Sequence, residues 1–174
     1  MSNRIKRKLE SGRRAAELED FVNGTMAALL DGALEKLLSP SSFVQQTVSK
    51  IWDCVDLMEN DTYMWSIRLT LLAVIKGELT QSVLPQLLDK VCSKAQQISR
   101  RNGSLSGGKL DNENVLTSTI DSILHATKQG FLEVLDLNAQ EMLHRITLKV
   151  AEQKYGKVSF RSALRTWRNI ESRI

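Results

Sequence analysis

The sequence predicts an all-α protein: an irregular antiparallel bundle of six or seven helices in a single domain. Three observations predict it. Apolar residues recur three and four positions apart through nearly every apolar run, which is the period of a helix. Leu, Ile, Val and Ala dominate the apolar set, and only 5% of residues are aromatic. Two prolines and nine glycines in 174 residues are too few for the many turns of a strand-rich sandwich. The chain is 42% hydrophobic. At this length it supports a real core without help from disulfides or metals.

The elements follow in order. A first helical region covers about 3–38, with Ile5, Leu9, Leu18, Phe21, Val22, Leu29, Leu30, Leu34, Leu37 and Leu38 on its apolar line. Asn23-Gly24 is a candidate break, and Pro40 ends the region because proline cannot continue the hydrogen-bond ladder. Ser41-Ser42 caps a second helix to about Met58, with Phe43, Val44, Val48, Ile51, Trp52 and Val55 on one broad face. Asn60-Asp61-Thr62 turns the chain and caps a third helix, 63–76. That helix is apolar almost all round, so it is expected in the middle of the bundle with Trp65 in the core and Gly77 as its stop.

Thr80 or Ser82 caps a fourth helix to about Arg100, with Pro85 in its first turn. A Gly- and Ser-rich loop, 101–111, reads as a mobile, protease-sensitive hinge. A fifth helix spans 113–129 and stops at Gly130. Asn138-x-x-Glu141 is a capping-box analogue that starts a sixth helix, ending at Gly156. Ser159 caps a last helix, 160–172.

Charge is segregated. Residues 1–14 carry Arg4, Lys6, Arg7, Lys8, Arg13 and Arg14 against Glu10, a net of +5. Residues 157–174 carry Lys157, Arg161, Arg165, Arg168 and Arg173 against Glu171, a net of +4. The whole chain is +4, so residues 15–156 carry −5. The organisation expected is a basic amino-terminal segment (1–14), a helical core (15–156) and a basic amphipathic carboxy-terminal helix (157–174).

That last helix is the sharpest feature. Arg161, Arg165 and Arg168 share one face at i, i+4, i+7, while Phe160, Ala163, Leu164, Trp167 and Ile170 share another. A guanidinium row neutralises successive phosphates, and Trp167 can stack or anchor. An ordinary surface helix, with its arginines in water or paired with the acidic body, has the same pattern. The run Arg4-Ile5-Lys6-Arg7-Lys8 is of localisation or nucleic-acid type, and a solubilising tail that becomes helical on a partner reads the same way.

Chemistry-bearing motifs are incomplete. Gly103 to Lys109 approaches a phosphate-binding loop, but Leu110 stands where Ser or Thr would hold Mg²⁺, and a helix precedes it. Glu141-x-x-His144 supplies one of the two such units a di-iron bundle needs, and Asp121-x-x-x-His125 is another carboxylate–imidazole pair. No Gly-x-Ser-x-Gly elbow occurs. Cys54 and Cys92 read as free buried thiols of a reducing compartment. The triplets beginning at Asn23, Asn60 and Asn102 read as turn chemistry. No secretory leader is expected, because the first apolar stretch, 26–30, is short and follows mixed charge. No enzyme, cofactor or metal is therefore expected.

These features point to a non-catalytic binding or regulatory protein whose basic ends engage nucleic acid, RNA first, or another acidic partner, in the cytoplasm or nucleus. Nucleocapsid-associated, matrix and accessory proteins of viruses share this design, by analogy alone. A protein–protein adaptor with an apolar helical groove is the alternative, and peripheral membrane association is a third. Edge helices with one apolar face could also join two copies as a homodimer or larger homo-oligomer.

Overall fold

The computed structural model describes the backbone of residues 3–54, 60–103 and 111–173, and the side chains of residues 12–54, 60–100, 117–154 and 156. The chain is all-helical, with no strand among the described residues. Its helices are α1 (Asn3–Leu37), α2 (Phe43–Asp53), α3 (Asp61–Glu78), α4 (Leu84–Gly103), α5 (Asp111–Glu133) and α6 (Leu135–Arg173). A π-helical turn, Leu79–Val83, joins α3 to α4 without a break, so the described backbone forms five continuous helical stretches. The second helix, expected to reach Met58, ends at Asp53, and Val55 and Met58 lie outside the described residues. The expected loop at 101–111 begins later, since α4 runs to Gly103, and residues 104–110 also lie outside them.

The glycines break the chain less often than the sequence predicts. Asn23-Gly24 lies inside α1, Gly77 inside α3 and Gly130 inside α5. A glycine costs a helix interior only about 1 kcal/mol, which neighbouring good helix formers offset. A Cβ at these three positions would meet nothing within 4 Å, so neither close packing nor an unusual backbone demands them. Gly156 differs: its φ of 71° and ψ of −178° interrupt the helical dihedrals within α6. The expected stop there is a kink.

Two caps fall where the sequence placed them. Ser42 Oγ accepts from Gln45 N at 3.4 Å at the start of α2, and Asn60 Oδ1 accepts from Tyr63 N at 3.0 Å at the start of α3. Two others do not cap. Thr80 and Ser82 lie in the π turn, where Thr80 Oγ1 donates back to the Lys76 carbonyl at 2.8 Å. Asn138 is already inside α6, its N–H donating to the Val134 carbonyl at 2.9 Å, because α6 starts at Leu135.

The sequence predicts a single domain, whereas contacts along the chain group it into two compact units. One is Met1–Leu30 with Ser82–Glu133, and the other is Asp31–Gln81 with Val134–Ile174. The boundary falls inside α1, which contributes segments to both units.

In the first unit α4 packs on α5. Val83, Leu84, Leu87, Val91, Ala95 and Ile98 form the buried stripe of α4 and its approach, with Ile120 and Phe131 buried on α5. Lys94 of α4 pairs with Glu17 of α1 at 3.3 Å and lies 5.4 Å from the centre of the Phe21 ring.

In the second unit α2 and α3 both pack on α6. Val44, Val48, Ile51 and Trp52 of α2 are buried, as are Met64, Leu71, Leu72 and Ile75 of α3 and Met142, Leu143, Ile146 and Val150 of α6. The Trp52 Nε1–H donates to the Thr147 carbonyl at 3.1 Å, tying together residues 95 positions apart. Thr147 is fully buried, and its hydroxyl donates to the Leu143 carbonyl at 2.7 Å. Its polar atom is thereby satisfied, as a buried hydroxyl requires.

Three expectations about burial are corrected here. α3 is not buried all round: Tyr63, Trp65, Leu69 and Val74 are exposed, because α3 packs along one face only. Trp65, expected in the core, is 44% exposed. Phe43, expected on the inner face of α2, is 55% exposed at the helix's first position.

Candidate acidic-partner interface

The amino-terminal cations begin on a helix. α1 starts at Asn3, so Arg4, Lys6, Arg7, Lys8, Arg13 and Arg14 all stand on one continuous helical backbone. Arg13 and Arg14 are exposed, while the side chains of the four earlier cations lie outside the described residues.

The carboxy-terminal row begins beyond the kink. The backbone after Gly156 is helical to Arg173, over the stretch that carries Arg161, Arg165, Trp167 and Arg168. The side chains of all four, and of the expected cap Ser159, lie outside the described residues.

Between the ends, ion pairs form within each unit. In the first unit Lys94 holds Glu17. In the second, Lys36 pairs with Glu78 at 2.9 Å, Lys76 with Asp136, Arg145 with Asp31 at 3.6 Å and Lys154 with Asp53 at 2.5 Å. Lys154 also donates to the Ser49 carbonyl at 2.7 Å, where it supports the seam between α2 and α6. Most of these groups are partly exposed, so each pair contributes at most about 1 kcal/mol.

Asp121 and His125 are exposed on α5, in a shallow depression shared with Thr117, Ser118 and Ser122. Glu141 is exposed and His144 half-buried on α6. Among the described residues no three His, Cys, Asp or Glu side chains gather as metal ligands. Cys54 and Cys92 are free, but Cys54 is exposed at the end of α2 and Cys92 half-buried, not buried as the sequence suggests. Asn23 lies within α1 rather than in a turn. No described helix is long and apolar enough to cross a membrane.

One surface was missed by reading the sequence: the open face of α3. Its signal was present as a helix with few charges, but such a pattern is equally that of a buried helix. Comparison with protein-family models, with curated proteins and with solved structures gives no match to this chain.

Proposed function

We propose that this protein is a non-catalytic helical binding protein whose basic ends engage nucleic acid, RNA first. The observation that carries the reading is the segregation of charge: +5 over residues 1–14 and +4 over residues 157–174, against −5 between them. Both ends have helical backbone, which spaces cations at intervals suited to successive phosphates. The Arg161, Arg165 and Arg168 row supplies planar guanidinium groups, and Trp167 a ring on which a base can stack. Arg4, Lys6, Arg7, Lys8, Arg13 and Arg14 supply a second contact. Recognition is electrostatic and weak in sequence preference.

The test is binding to labelled single- and double-stranded RNA at two salt concentrations. Neutralising about six phosphates makes affinity fall roughly a thousandfold between about 50 and about 200 mM salt. The Arg161→Glu, Arg165→Glu, Arg168→Glu triple variant, and deletion of residues 1–14, should each remove much of the binding while the helical spectrum persists. Undiminished binding in the triple variant refutes a role for the carboxy-terminal row, and no wild-type binding at low salt refutes the reading as a whole. The adaptor alternative is favoured by one observation, the exposed Trp65 and Leu69 side chains of α3.

A further inference from the structure

Residues 15–156 carry a net of −5, but that charge is unevenly spread. From Lys90 to Gly103 the chain holds Lys90, Lys94, Arg100 and Arg101 and no acid, a net of +4. This stretch is the carboxy-terminal part of α4. A helix macrodipole favours cations in the last turn, which accounts for Arg100 and Arg101. It does not account for Lys90 and Lys94, which stand more than two turns before the end.

These cations border a groove in the first unit. Lys90 and Lys94 line a shallow depression with Ser93 and Gln97 of α4 and Phe21 of α1. Ser93 and Gln97 also line a second depression, which reaches Gln96 and Arg100. The two therefore adjoin, and follow α4 for about 15 Å from Lys90 to Arg100 at the rise of a helix. Asp89, at one end, is the one acid among the described lining residues. α1 meets α4 here, through the Lys94–Glu17 pair and the Phe21 ring beside Lys94. One turn before Glu17, α1 carries the exposed Arg13 and Arg14.

We propose that this groove is a further nucleic-acid contact, in which Lys90 and Arg100 hold the phosphate backbone alongside the cations of α1. The inference rests on the binding role given above and adds to it a surface that lies outside both basic ends. Lys90 and Arg100 are exposed. Their spacing along α4 lets them meet different phosphates of one strand, whose charges recur every few ångströms. The exposed Ser93, Gln96 and Gln97 add hydroxyl and amide donors for phosphate and sugar oxygens. Lys94, held by Glu17 and Phe21, shapes the groove where the two helices meet. Contacts of this kind position a strand without reading its bases.

The experiment is binding of the full chain to labelled single-stranded RNA between about 50 and about 200 mM salt. A Lys90→Gln, Arg100→Gln variant is compared with Lys50→Gln, Lys149→Gln, which removes the same charge from exposed positions of the second unit. Glutamine is a good helix former, so both variants should keep the helical spectrum. The groove variant should bind at least ~10-fold more weakly at the lower salt, with a salt slope shallower by about two, while the control stays within about twofold of wild type. A second arm adds charge instead: Gln97→Lys should tighten binding and steepen the slope by about one. Wild-type binding with the groove variant equal to the control, or with Gln97→Lys unchanged, overturns the groove and leaves the basic ends as the contact. No wild-type binding at low salt overturns both. A glutamate-rich peptide that displaces the RNA at equal charge concentration overturns the assignment to nucleic acid.

Discussion

Trp52 is the side chain whose removal should cost the second unit most. It is 3% exposed at the junction of α2 and α6, and its indole N–H donates to the Thr147 carbonyl at 3.1 Å. Truncation to alanine removes a large buried ring and leaves a cavity that neighbouring helices fill only in part. Such changes cost about 3–5 kcal/mol. Trp52→Phe keeps most of the ring. It loses about 1 kcal/mol of hydrogen bonding and about 1 kcal/mol of apolar contact, for a total of about 2 kcal/mol. Thr147→Val is the control, since the tryptophan bonds the backbone carbonyl and not the hydroxyl. The hydroxyl itself only returns to the Leu143 carbonyl. Losing that bond leaves no new donor unpaired, so this change should cost under about 1 kcal/mol. Urea unfolding followed by circular dichroism measures all three. The order alanine, phenylalanine, valine from most to least destabilised is expected. A Trp52→Ala cost below about 1 kcal/mol, or a Thr147→Val cost above that of Trp52→Phe, would refute the account of this junction.

Two further changes probe the helix termini and the kink. Asn60→Ala removes the side-chain acceptor of the Tyr63 N–H and should cost about 1 kcal/mol, whereas Asn60→Asp keeps an acceptor and should be near neutral; urea midpoints compare them. Gly156→Ala puts a side chain at a φ of 71° and a ψ of −178°. That region is almost confined to glycine, so the change should cost about 1–3 kcal/mol in thermal or urea unfolding. Unchanged stability would show that the kink is not retained.

How much of this was legible in the sequence depends on whether the cause was local. The all-helical class was, because a period of three to four apolar positions reflects backbone geometry that neighbours impose on each other. So were the caps at Ser42 and Asn60, where one side chain bonds an N–H three residues away. The breaks at Gly24, Gly77 and Gly130 were misjudged because a glycine's helix cost is small and is outweighed by the residues around it. The charge of the two ends was also legible, since it needs only counting.

Tertiary structure alone decided the rest. The same apolar richness that marks α3 as a helix reads equally well as full burial, and only packing on α6 along one face leaves Trp65 and Leu69 open. Likewise, nothing near Trp52 in sequence announces Thr147 as its partner, because the bond joins residues 95 positions apart. The division into two units is of the same kind. Periodicity specifies each helix and its apolar side, but which segments of a long helix share a core depends on contacts between residues far apart in the chain.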